Sequence, residues 1–142
     1  MTDLRLAGYA SVFDRPDSGG DIVRAGAFRR AVAAAPRLPL LWQHAVGEPI
    51  GFVERIAEDA RGLRVVARIA AASSRGGDAA ALLRMGALDG LSFGYRVRAS
   101  RPGRGVRELT DLDLIEVSLV TFPMQPAARV LAFQDFTPGE TA

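Results

Sequence analysis

The chain has 142 residues, a formal net charge of +2, 18 basic residues that are all arginine, one histidine and no cysteine. Without cysteine or lysine, disulfides, thiolate metal sites, cysteine nucleophiles, Ser-Lys dyads, Schiff-base lysines and P-loops are excluded, and one histidine cannot build a multi-histidine zinc site within one chain. What remains for catalysis is a hydroxyl nucleophile served by His44, or carboxylate chemistry.

The length suits one domain with a real core. No run approaches ~18 apolar residues and no apolar stretch opens the chain, so neither a membrane span nor a signal peptide is expected, and the protein is expected to be soluble and cytoplasmic. "LRLAGYASVF" (4–13) alternates small and apolar residues and reads as a strand; "DRPDSGGD" (14–21) is rich in turn formers and reads as a loop. "GAFRRAVAAA" (26–35) predicts a helix with Phe28, Ala31, Val32 and Ala35 on one face, stopped by Pro36 and Pro39. "LPLLWQH" (38–44) holds the only tryptophan and the only histidine. It is too short for a helix and reads as a buried strand ending near His44. "IGFVERIA" (50–57) and "LRVVARIAA" (63–71) flank "EDARG" as a hairpin.

"SSRGGDAAALLRMGALDG" (73–90) reads as a loop and then a helix, with Asp78 as N-cap and Gly86 or Gly90 as stop. "LSFGYRVRA" (91–99) alternates, with Leu91, Phe93, Tyr95 and Val97 on one face and Ser92, Gly94, Arg96 and Arg98 on the other. "SRPGRG" is a turn; "VREL" and "DLDLIEVSLVTF" read as two further strands. The stretch from Pro123 to Val130 reads as irregular or as a short helix. A domain over 1–133 and a short flexible tail over 134–142 complete the division. Many strands with two or three helices predict a mainly β, α+β architecture, a bent sheet or β-barrel with flanking helices.

Three residues stand out. Glu116 sits inside an apolar strand that reads as buried on both faces, where a carboxylate needs a partner. An arginine would serve, and so would His44. Ser92 shares a face with Gly94, whose missing side chain leaves room for another backbone. His44 ends an apolar run. Together they give the order His, Ser, acid, and catalytic triads are defined by geometry rather than order. Asp111 and Asp113 remain alternatives to Glu116, and Ser118, two residues from it, is a rival nucleophile. Backbone N–H groups around Phe122 and Met124 are candidate oxyanion donors. The arginines of "YRVRASRPGRGVR" read as a solvated hairpin, and nucleic acid is not expected as a partner.

"GYASVFDRPDSGGDIVRAGAF" (8–28), "LPLLWQHAVGEPIGFV" (38–53), "GLRVVARI" (62–69), "LLRMGALDGLSFGYRV" (82–97) and "LIEVSLVTFPMQPAARV" (114–130) occur together, in this order. With them the chain resembles the tailed-phage prohead (procapsid) maturation proteases, whose fold is similar to that of herpesvirus assemblin. The resemblance implies a serine endopeptidase with Ser92 as nucleophile, His44 as general base and Glu116 as third member. Assemblin-like proteases use a second histidine in that last role, which this chain lacks. The substrate implied is the scaffolding segment of the major capsid protein or a separate scaffold, with self-cleavage as a further option, inside assembling procapsids of a phage or phage-like particle, gene transfer agents included. A homodimer is expected; no cofactor, metal or membrane partner is. The alternative is a catalytically silent assembly protein that binds capsid protein or scaffold with the same fold.

Overall fold

A computed structural model describes residues 2–137. The first strand, β1 (Asp3–Val12), buries Leu4, Leu6 and Ala10 by alternation. A short strand β2 (Asp21–Val23) follows a turn-rich loop, and α1 spans Arg29–Ala33. Then come β3 (Leu38–Trp42), β4 (Ala45–Glu58), β5 (Gly62–Ile69), α2 (Ser74–Arg84), β6 (Gly90–Pro102), β7 (Arg107–Val120) and β8 (Val130–Phe136). Among the described residues all eight strands belong to one strongly bent, open sheet that runs β2-β7-β3-β4-β5-β1-β8, with β6 pairing β7. Mainly β with two flanking helices, this is the expected class.

Long β7 organises the sheet. On one edge it pairs antiparallel with β6 from Arg107 to Val120; on the other it pairs parallel with β2 at Arg107–Leu109 and with β3 at Val117–Leu119. Leu63, Val65, Ala67 and Ile69 of β5 and Leu109, Leu112, Val117 and Leu119 of β7 are fully buried. Phe28 is fully buried and links the stacked Phe13, at 6.3 Å between ring centres, to the edge-on Phe93, at 5.3 Å.

Several expectations change. The helix over 26–35 contracts to Arg29–Ala33 because Gly26 takes a φ of +92° and the Phe28 N–H is held by Glu58 Oε1 at 2.9 Å rather than by a helical turn. Ser73, not Asp78, caps α2, accepting from the Gly76 N–H at 3.0 Å; Asp78 lies inside the helix. Gly86, with φ +79°, follows the helix end as expected. "VREL" and "DLDLIEVSLVTF" form one strand, β7. The irregular segment ends in an unforeseen strand, β8, which enters the expected tail: residues 134–136 pair with β1, Phe136 opposite Asp3. The remainder of that tail, from residue 138, lies outside the described residues. Only Val130 and Phe136 of β8 are buried, so the strand shows no apolar alternation to read.

Candidate active site

The turn between β3 and β4 carries His44. Trp42 pairs with Ala45, leaving Gln43 and His44 as a two-residue loop with φ +52° and +61°. Positive φ at both central residues suits the twist of a hairpin and favours glycine or asparagine. Here two bulkier side chains occupy it, which costs free energy unless the surroundings hold the turn. Four hydrogen bonds do so. The Gln43 N–H donates to Leu119 O at 3.0 Å, Gln43 Nε2 donates to Thr121 Oγ1 at 2.6 Å, the Thr121 N–H donates back to Gln43 Oε1 at 3.1 Å, and the His44 N–H donates to Ser118 Oγ at 3.1 Å. Pairing of Leu41 with Ser118 and Trp42 with Leu119 brings the turn to that anchorage, and Leu40 and Leu41 fix it by burial.

On β6 and β7, Ser92 lies opposite Ser118 and Gly94 opposite Glu116, so the four residues share one face. Gly94 makes room for a side chain, not for a second backbone as expected: a Cβ there would stand 2.6 Å from Glu116 Oε1. Across that gap Glu116, 6% exposed, reaches His44 Nδ1 at 2.5 Å with Oε1, while its Oε2 accepts from Ser118 Oγ at 2.6 Å. Two hydrogen bonds offset much of the cost of burying this carboxylate. A carboxylate can only accept, so Nδ1 carries the ring proton and Nε2 is left as an acceptor. The bond to Glu116, with its charge behind it, raises the His44 pKa above the ordinary 6.5, against a smaller opposing effect of burial.

The structure therefore brings His44 and Glu116 together. Ser92 is 6% exposed and sits on the same face, but among the described residues its hydroxyl makes no hydrogen bond to the His44 ring. Ser118 is fully buried and commits its single proton to Glu116, a poor position for a nucleophile. Asp111 is held by Arg30, at 3.2 Å, and Asp113 by Arg30 and Arg98, each at 2.6 Å, at the solvent-facing side of β7. After β7 the chain passes Gly90, where Pro123 packs so closely that a Cβ would lie 2.8 Å from its ring. Phe122 and Met124 follow the end of β7 with exposed side chains. Of the hairpin arginines, Arg98, Arg101 and Arg107 pair with Asp113, Glu108 and Asp21. Gln43 and Thr121 escaped the sequence reading; a glutamine beside a histidine announces no turn geometry.

Comparison with known proteins gives one consistent result. A family model described as "Caudovirus prohead serine protease" matches residues 2–138. The prohead protease of Enterobacteria phage HK97 is 33% identical over 141 residues, which cover 94% of this chain and 62% of that protein, so the chain spans about three fifths of the length of this relative. Among solved structures, the capsid assembly protease of bacteriophage T4 superposes with a TM-score of 0.67 at 14% identity, covering 82% of this chain and 80% of that one. The KSHV protease, solved with a hexapeptide phosphonate inhibitor, superposes with a TM-score of 0.63 at 14% identity, covering 93% of this chain and 65% of that one. At such identity the structural likeness speaks for the fold.

Proposed function

From the premise that this chain belongs to the caudovirus prohead serine protease family, we propose that it is a serine endopeptidase that cuts the scaffolding segment of capsid proteins inside a procapsid of a phage or phage-like particle. The single observation that carries the reading is the buried Glu116 carboxylate bonded to Nδ1 of the only histidine, with Ser92 on the same sheet face. His44 Nε2 takes the Ser92 proton as Oγ bonds to the scissile carbonyl carbon. Glu116 holds the tautomer and stabilises the imidazolium. The tetrahedral intermediate then collapses, the C–N bond breaks, and Nε2 gives its proton to the leaving amine; water, deprotonated by the same nitrogen, hydrolyses the acyl-serine. Proton transfer of this kind is worth about 10²–10⁴-fold. Backbone N–H groups at Phe122 and Met124 are the proposed oxyanion donors, each worth about 10²–10³-fold. An extended substrate finds backbone groups along the edge of β6 turned away from β7, which has no partner strand among the described residues beyond Gly90. The working unit proposed is a homodimer.

The second reading is a catalytically silent capsid-assembly protein with the same fold. It is favoured by the missing Ser92–His44 hydrogen bond, although such bonds often close only when substrate binds. Co-expression with the capsid protein decides: wild type should shorten it and Ser92→Ala should leave it at full mass. Identical full-length masses from both would reject the enzyme.

A further inference from the structure

Resting on the reading of His44 as base, the geometry points to a fourth member of the site, and we infer that Ser118 is a positioning residue whose one hydroxyl fixes both the Glu116 carboxylate and the backbone of the His44 turn. In this part of the sheet β7 lies between β6 and β3, and Ser118 has Ser92 opposite it on β6 and Leu41 opposite it on β3. Its side chain shares a face with that of Glu116, two residues earlier. It is fully buried, and its neighbours Val117, Leu119 and Val120 are buried and apolar. A hydroxyl in such surroundings has to be bonded.

The roles in its two bonds are forced. A carboxylate can only accept, so the Ser118 proton goes to Glu116 Oε2, at 2.6 Å. A backbone N–H can only donate, so Ser118 Oγ accepts from His44, at 3.1 Å. The bond from His44 Nδ1 to Glu116 Oε1, at 2.5 Å, closes the ring. His44 thus reaches the carboxylate twice, through its imidazole directly and through its backbone by way of Ser118. Both oxygens of Glu116 are engaged, and among the described residues these are its two partners. With Oε2 held, the carboxylate is fixed in rotation and Oε1 stays aimed at Nδ1. His44 has a φ of +61°, which a non-glycine residue keeps only under constraint, and its N–H on Ser118 supplies part of that constraint. A serine that merely tolerated burial would need one bond, to any nearby carbonyl oxygen. This one joins the two groups whose mutual aim sets the base.

The test compares Ser118→Ala with wild type, each alone and combined with Glu116→Gln. The readout is the rate at which a fluorophosphonate labels Ser92, with the labelled residue identified by mass spectrometry. Nitrogen NMR of the ring, unambiguous because His44 is the only histidine, reads the tautomer of the neutral form. Wild type should hold the Nδ1–H form. Ser118→Ala should slow labelling about tenfold or more and mix the two tautomers. In the Glu116→Gln background the same change should matter by no more than about threefold, because a residue acting through Glu116 then has little left to position. Ser118→Cys keeps the shape with a weaker donor and should lie between, and it serves if the alanine variant fails to fold. Equal slowing in both backgrounds, or an unmixed Nδ1–H ring in folded Ser118→Ala, makes Ser118 a packing residue and overturns the inference alone. A label found on Ser118 overturns it together with the assignment of Ser92. Wild type that does not label overturns the protease reading, and the tautomer measurement then decides the inference by itself.

Discussion

Glu116 occupies the volume that a side chain on Gly94 would fill, and this one exchange ties a buried carboxylate to a solvent-facing imidazole. Gly94→Ala should therefore keep the fold but displace Glu116, drop the His44 pKa towards 6.5 and cut turnover at least tenfold; because His44 is the only histidine, its ring resonance reads that pKa directly by NMR. Glu116→Gln should also lower the pKa and reduce turnover by about 10²–10⁴-fold. The pH dependence has opposite signs for stability and rate. A pKa raised by folding contributes stability that is fully present below the ordinary 6.5 and is lost as pH climbs through the raised value. Over that same window the ring becomes neutral, and the proposed role of His44 as base requires cleavage to rise. An acid limb of kcat/KM that fails to coincide with the NMR titration would remove His44 as the base. At this scale the sequence was informative about the His44–Glu116 contact: an acid inside an apolar run and one histidine at the end of another. It was silent on the bulge at Ala10, which no residue in "YASVF" signals.

The turn between β3 and β4 is an element made to hold an unfavourable backbone. Gln43 spends its whole amide on Thr121, and Ser118 serves the His44 N–H and Glu116 at once. Gln43→Ala and Thr121→Val should loosen the aim of the ring, lowering kcat about tenfold or more with KM near the wild-type value, while Thr121→Ser restores the rate. Equal losses from Thr121→Val and Thr121→Ser would reduce the clasp to a packing contact. Strands that alternate, such as β1 and β5, were legible because burial follows their period. The long β7 was read as two strands with a break at the polar Thr110, which in fact continues the ladder; arginines of neighbouring elements hold Asp111 and Asp113 just beyond it. The N-cap of α2 was misplaced because Ser73 and Asp78 are both good capping residues, and local pattern does not rank them.

Across the whole molecule, the segment Ala128–Val130 joins the two ends of the bent sheet. The Tyr9 N–H donates to Arg129 O, the Leu91 N–H to Ala128 O and the Val130 N–H to Asp89 O, so the start of β6 hangs from the same strap that β8 continues. Removing residues from Val130 onward should bare the edge of β1, lose the buried Val130 and Phe136, and lower the melting temperature by on the order of 10 °C, with weaker labelling of Ser92. An unchanged melting curve would make β8 an ornament of the edge. Mainly β character was legible from the number of strands, but their order was not: β3 beside β7 joins segments about 75 residues apart, and nothing local specifies a parallel partner that distant.

That distant pairing has a temporal consequence. A chain emerging from the ribosome as far as residue 106 already contains His44 and Ser92, yet has neither the acid nor the strand against which the histidine loop is braced. Synthesis thus withholds the His44–Glu116 pair until β7 has been made, and a partly translated copy carries the parts without their assembly.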